Sequence, residues 1–246
     1  MAYNWNWGVF FQDAMFGPGT YLDWMLSGLK WTVVVSLAAW LIAFSVGSVL
    51  GVLRTTSFRF LRGVAATYVE IFRNVPLLVQ MFIWYFVVPE LMPKDVGRWM
   101  KTGMPMPEHT SAILCLGFYT ASRVAEQVRS GIESISRGQT YAAYAMGLTE
   151  VQVYRHVLLP MGYRIIIPPM TSEFLSIFKN SSVALTIGVL ELTAQSRQIT
   201  EFTFQGFEAF TLATVLYIMI TMTVILLMRV VEGRFRVPGF IGTGGR

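Results

Sequence analysis

The sequence predicts an all-α membrane protein of about five transmembrane helices, with its N-terminus outside and its C-terminus inside. Three observations lead there: a composition suited to lipid, apolar runs of spanning length, and arginines gathered into the short loops between those runs. Of the 246 residues, 54% are hydrophobic and 13% are charged, and the mean hydropathy is +0.54. Soluble domains carry about a quarter charged residues because a water-facing surface needs them, whereas a lipid-facing surface penalises each by a few kcal/mol. The net charge of +5 could point to nucleic acid, but the basic residues form no continuous stripe, so no nucleic-acid partner is expected. Cys115 stands alone and the only histidines are His109 and His156, which excludes an intrachain disulfide and leaves no cluster for a metal centre. No Lys or Arg precedes Lys30, so the start lacks the basic region of a cleaved signal peptide and the first span is expected to remain.

Runs of about 20 apolar residues, the length that crosses ~30 Å of hydrocarbon, fall at 31–53, 68–89, 111–130, 165–190 and 210–231. The first and last are uninterrupted, and the first places Gly47 and Gly51 four apart, a spacing that lets helix backbones approach closely. The second contains Arg73 and Pro76, the third turns polar after Ala121, and the fourth contains Pro168, Pro169, Glu173, Lys179 and Asn180. Orientation follows from basic residues in short loops, which stay on the cytoplasmic side. Arg54, Arg59 and Arg62 follow the first span, Arg137, Arg155 and Arg164 follow the third, and Arg229, Arg234, Arg236 and Arg246 end the chain. Lys94, Arg98 and Lys101, between the second and third spans, run against this pattern. Residues 1–25 read as an outer interfacial segment, in which Trp5, Trp7, Phe10, Phe11 and Phe16 would anchor at the membrane surface. Residues 232–246 read as a cytoplasmic tail.

The longest cytoplasmic connection, 137–160, reads RGQTYAAYAMGLTEVQVYRHVLLP. Residues 141–146 favour helix, and Gly147 sits where a helix ends in a left-handed residue without Cβ strain. Thr149 and Gln152 have capping-box spacing, so a second helix restarts after Leu148 in a new direction. Val151, Tyr154 and Leu158 repeat at helical spacing as its apolar face, and Pro160 is expected to close it. The small side chains of Ala142, Ala143 and Ala145 permit close approach of another protein, although a helix–Gly–helix corner is also common in helical proteins at large.

This segment resembles the loop that gives ATP-binding-cassette (ABC) importer permeases their pattern of E-A-A, three residues, Gly, nine residues, then I-x-L-P. Ala142, Ala143, Gly147, Leu159 and Pro160 stand in register, with Val157 for the Ile and Tyr141 for the Glu. The runs YVEIFRNVPLLVQ at 68–80 and FKNSSVALTIGVLELT at 178–193 resemble permeases for polar amino acids, and the chain as a whole looks closest to the glutamate/aspartate permeases. The resemblance implies a type I importer (MetI-like) permease fold, with the transmembrane domain over 26–231 in the bacterial cytoplasmic membrane. It implies that Tyr141, Ala142, Ala143, Gly147, Leu148, Thr149, Leu159 and Pro160 belong to the coupling loop that fits a groove on the ATPase. The implied partners are a dimer of separate ATPase subunits that hold ATP and Mg, a second homologous permease, and a periplasmic amino-acid-binding protein. This chain has no P-loop and no hydrolase or zinc-protease motif, so neither catalysis nor a cofactor of its own is expected.

Intramembrane polar groups are the candidates for a substrate path or gate. Arg123, Glu126, Arg129 and Glu133 alternate in charge along one helix face, either as a solvated, salt-bridged extension or as a gate. Arg73 could pair with Glu70 or face a cavity beside Pro76. Pro168 and Pro169 are expected to break the fourth span, with Glu173, Lys179, Asn180, Ser181 and Ser182 lining a path on the broken helix. The basic and acidic groups in the spans balance, so substrate charge rests on the resemblance. The rival reading is an amino-acid transporter or channel that works without ATP, in which the 137–160 loop has no coupling role.

Overall fold

The structure, a computed structural model, describes residues 3–235. The basic tail with Arg236 and Arg246 lies outside the described residues. In order, the helices are α1 (Tyr21–Leu53), α2 (Arg59–Asn74), α3 (Leu77–Phe82), α4 (Val88–Leu91), α5 (Lys94–Arg98), α6 (Pro107–Glu133), α7 (Arg137–Ala145), α8 (Glu150–Val153), α9 (Leu159–Asn180), α10 (Leu192–Thr203) and α11 (Gly206–Phe235). Wider π turns at Ile83–Val87, Trp99–Gly103 and Tyr154–Leu158 join neighbouring helices, and tighter 3₁₀ turns occupy Trp7–Phe11 and Ser181–Ile187.

Among the described residues, α1 and α11 are each long and apolar enough to cross a membrane, at 33 and 30 residues. The stretch expected as one span over 68–89 is two helical pieces that meet at 106°. Pro76 is the cause: its ring drives the preceding Val75 into an extended conformation (φ −90°, ψ 128°), which ends α2. The fourth stretch corrects the expectation differently. α9 runs unbroken through Pro168 and Pro169, because two prolines withhold only two N–H groups and a membrane helix tolerates such a local loss. The break comes later, where the Ser181–Ile187 turn ends at Gly188 (φ +93°). The chain then restarts as α10, a helix between the expected fourth and fifth spans, bent by 49° from the preceding segment.

The chain divides into two compact units. The first comprises the described residues of Met1–Leu41, Pro76–Gly117 and Ser176–Thr223. Its core gathers Val9, Phe10, Tyr21, Met25, Leu192, Ile199, Ala209 and Ala213. Phe10 therefore serves the core, whereas Trp5, Trp7, Phe11 and Phe16 are exposed. The N-terminal segment is tied down by Glu208, fully buried, which accepts from the Tyr3 hydroxyl (2.5 Å) and the Asn6 N–H (2.7 Å). Burial opposes the Glu208 charge, yet these donors together hold its carboxyl below the usual range.

The second unit comprises Ile42–Val75, Phe118–Leu175 and the described residues of Val224–Arg246. Here α1 lies directly on α6. A Cβ at Gly47 would sit 2.6 Å from Val124 and 2.7 Å from the Ala121 carbonyl, and Gly51 meets Val128 and the Ala125 carbonyl in the same way. The small-residue spacing thus marks a backbone-to-backbone contact. α2 is fixed to α6 by the Tyr68 hydroxyl, which donates to the Phe118 carbonyl at 2.7 Å.

Candidate functional site

The corner between α7 and α8 is built from local chemistry alone. α7 ends with the Leu148 N–H bonded to the Ala143 carbonyl (3.2 Å) and the Gly147 N–H bonded to the Tyr144 carbonyl (2.9 Å). This paired closure requires a left-handed residue, and Gly147 supplies it at φ +83°. Thr149 then caps α8. Its hydroxyl accepts from the Gln152 N–H (3.4 Å), and the Gln152 side chain accepts from the Thr149 N–H (2.9 Å), so both halves of the capping box form.

Two expectations about this corner change. Val151 is 75% exposed, and the buried positions are Val153 and Leu158. The π turn at Tyr154–Leu158 holds one more residue than an α turn, which rotates the apolar register. Pro160 likewise does not close the helix but lies in the first turn of α9. The wider turn before it gives the ring room it would lack against an α-helical carbonyl four residues back. Ala143 packs inward at 1% exposure, so of the three alanines it is not on the outer surface, where Ala142 and Ala145 lie. Tyr141, Tyr144, Met146 and Val151 are exposed around them.

The corner is anchored to the α1–α2 connection. The Tyr154 hydroxyl donates to the Thr55 carbonyl (2.7 Å), and the Ser57 hydroxyl donates to Glu150 (2.9 Å). Burial raises the Tyr154 phenol above its ordinary range.

A charged cluster occupies the same unit. Glu126 receives Arg54 directly, Arg129 at 2.5 Å and Arg73 at 3.6 Å, and Arg129 also pairs with Glu133. Arg73 therefore reaches across to α6, one turn beyond the buried Val69 on the same face of α2. It does not pair with Glu70, whose side chain accepts from Asn74 instead. Arg123 leaves the alternating row and faces Glu173 of α9 at 3.8 Å, which gives Glu173 an in-chain partner. Arg54 and Arg129 are mostly covered, whereas Arg73 and Arg123 are 47% and 45% exposed, each beyond hydrogen-bond range of its carboxyl partner.

The remaining path candidates belong to the other unit, where α3, which starts after Pro76, packs against the 181–187 turn. Lys179 is exposed there and Asn180 leads into the turn. The hydroxyls of Ser181 and Ser182 donate to the Phe178 and Lys179 carbonyls at 2.8 and 2.7 Å, which closes the end of α9. They act as helix caps.

Sequence reasoning missed Glu191, fully buried at the start of α10. Its carboxyl accepts from the N–H groups of Thr193 (3.0 Å) and Ala194 (2.8 Å) and from the Tyr217 hydroxyl (2.8 Å). The signal was an acidic residue a few positions after Gly188, a restart of the same kind as the one read at Gly147 and Thr149.

Helices long and apolar enough to cross a membrane, with a capped corner and a charge cluster at the end of α1, are the make-up of a membrane transport protein. The chain matches the family of binding-protein-dependent transport system inner membrane components over residues 24–237, and it belongs to that family. It is 49% identical over 244 residues to the glutamate/aspartate import permease protein GltJ of Escherichia coli K12, covering 98% of this chain and 99% of that one. It is 31% identical over 196 residues to the probable glutamine ABC transporter permease protein GlnM of Bacillus subtilis 168, covering 80% and 86%. A crystal structure of an amino acid ABC transporter with histidines superposes with a TM-score of 0.74 at 29% identity, covering 87% of this chain and 95% of that one.

Proposed function

We propose that this chain is the permease subunit of an ATP-driven importer for acidic amino acids, glutamate and aspartate, in a bacterial inner membrane. The observation that carries the coupling role is the capped corner at Gly147, which turns Tyr141, Ala142, Tyr144 and Met146 outward on a framework of backbone hydrogen bonds. Such a corner transmits a push from a bound ATPase with little loss in its own deformation. The ATPase, with its ATP and Mg, is a separate subunit dimer; the substrate arrives on a periplasmic binding protein. A second, homologous permease completes the pore, in keeping with the 28% identity of this chain over 213 residues to the permease GltK of Escherichia coli O157:H7. In this reading the N-terminus lies outside and the α7–α8 corner inside, the side that the balance of loop arginines favours.

The substrate assignment rests on the full-length likeness to GltJ and on the two half-exposed arginines. Arg73 and Arg123 hold their carboxyl partners loosely, so each guanidinium retains donors for a passing carboxylate. The test is reconstitution with the ATPase and binding protein in vesicles loaded with ATP. Uptake of labelled glutamate is expected, strictly dependent on ATP hydrolysis, and Arg123→Gln lowers it several-fold while ATPase co-purification is unchanged. Uptake driven by an ion gradient in the absence of ATP would overturn the reading.

A further inference from the structure

Lys94, Arg98 and Lys101 contradict the charge rule that sets the orientation of every other loop. A cost of that kind in membrane insertion calls for a use on the side where the charges stand. α5 and the π turn that follows it carry all three on one continuous helical stretch, where they form a basic stripe along a shared cavity. They line a cavity of about 330 Å³ together with Glu90, Met92 and Thr102. Glu90 pairs with Lys101. Among the described residues no carboxylate lies within 4.0 Å of Lys94 or Arg98, which leaves the cavity wall with an excess of positive charge.

The surroundings of the stripe are apolar. Leu91, Val96, Trp99 and Met106 are 74%, 43%, 54% and 55% exposed. The segment begins where the helical piece Leu77–Leu91, half of a bent membrane-spanning pair, ends. An exposed Trp with aliphatic neighbours beside a basic stripe, one turn past a membrane helix, has the make-up of an element that lies in the lipid interface. A docking face for a soluble acidic protein would not need four exposed apolar side chains.

We infer that the Lys94–Arg98–Lys101 cavity is a binding site for the phosphate of an anionic phospholipid, with Leu91, Val96 and Trp99 against its acyl chains. This rests on the chain being membrane-spanning, and not on which amino acid it transports. The site would fix the 89–103 segment at the membrane surface.

The test uses the whole transporter, purified into nanodiscs of phosphatidylcholine with or without phosphatidylglycerol, with retained lipid counted by native mass spectrometry. The wild type is expected to retain phosphatidylglycerol over phosphatidylcholine. The combined variant K94Q/R98Q/K101Q is expected to lose that preference by about a hundredfold, since each basic residue near an anionic surface contributes about fivefold. The variant K94R/R98K/K101R, equal in charge, should retain it and guards against a folding artefact. Inorganic phosphate titrated into phosphatidylcholine-only discs distinguishes a free-anion site from a lipid site. Equal phosphatidylglycerol retention by wild type and the Gln variant overturns the proposal. So does saturation by millimolar phosphate without any lipid preference, or a Gln variant that keeps its lipid but loses stimulation by the binding protein.

Discussion

The chain uses one local device twice, and the two copies do different work. At the α7–α8 corner a helix ends on Gly147 at φ +83° and restarts on a side-chain cap, Thr149; at the α9–α10 break a turn ends on Gly188 at φ +93° and the chain restarts on Glu191. The first corner is exposed, with Met146 and Val151 each 75% open, whereas in the second Gly188 is exposed but Val189, Glu191, Leu192 and Ser196, which follow it, are fully buried. Backbone stereochemistry sets the shape of a corner, and burial sets what a change in it costs. An exposed corner with its own internal hydrogen bonds can take an outside load. A buried one holds its unit together.

The largest expected effect lies in the buried copy. Glu191→Ala leaves two backbone N–H groups without their acceptor and leaves the Tyr217 hydroxyl only Thr193 as a partner, and the two orphaned N–H groups alone amount to about 2 kcal/mol or more. Thermal unfolding in detergent should show it, with Glu191→Gln closer to wild type because an acceptor oxygen remains.

Valine at either glycine sharpens the comparison, since each position pays the same left-handed strain of roughly 1–2 kcal/mol. Neither site is short of room. Nothing lies within 4 Å of a Cβ at Gly147, and at Gly188 the nearest atom is the Glu108 side chain at 3.7 Å. Both substitutions should therefore lower the unfolding temperature to a similar, modest extent, and only Gly147→Val should also lose ATP-driven uptake. Loss of uptake in both, or in neither, would break the distinction between the corners.

Thr149→Ala removes one capping hydrogen bond at an exposed site and should cost about 1 kcal/mol. Faster amide exchange confined to the start of α8 would register it. The smallest effect concerns Glu208. Its depressed folded-state carboxyl contributes stability that is present above the ordinary carboxylate range and is lost as pH falls through the folded value. The Trp5 and Trp7 fluorescence should therefore hold steady near neutral pH and change on acidification as the N-terminal segment loosens, and Glu208→Gln should abolish that change.

Legibility differed across the molecule for the same reason. The α7–α8 corner could be read almost atom by atom, because Gly147, Thr149 and Gln152 act on neighbours within five residues. Its apolar face was misread, since Val151, Tyr154 and Leu158 assume an unbroken α period that the π turn interrupts. The Pro168–Pro169 break failed because proline removes donors without dictating a bend when the surrounding helix holds. Pro76 succeeded as a marker of interruption, and its 106° angle is a consequence of the extended Val75 before it.

By itself the sequence determined the membrane class, the apolar runs, the close-packing glycines of α1 and the chemistry of the exposed corner. All of these depend on composition or on contacts a few residues apart. Only the tertiary structure decided that Arg73 and Arg54 converge on Glu126, that Arg123 turns to Glu173, and that Glu191 meets Tyr217. Those pairs are separated by 26 to 72 positions. A charge in a membrane helix must find a partner, but which partner is settled by helix packing and leaves no mark in the local pattern.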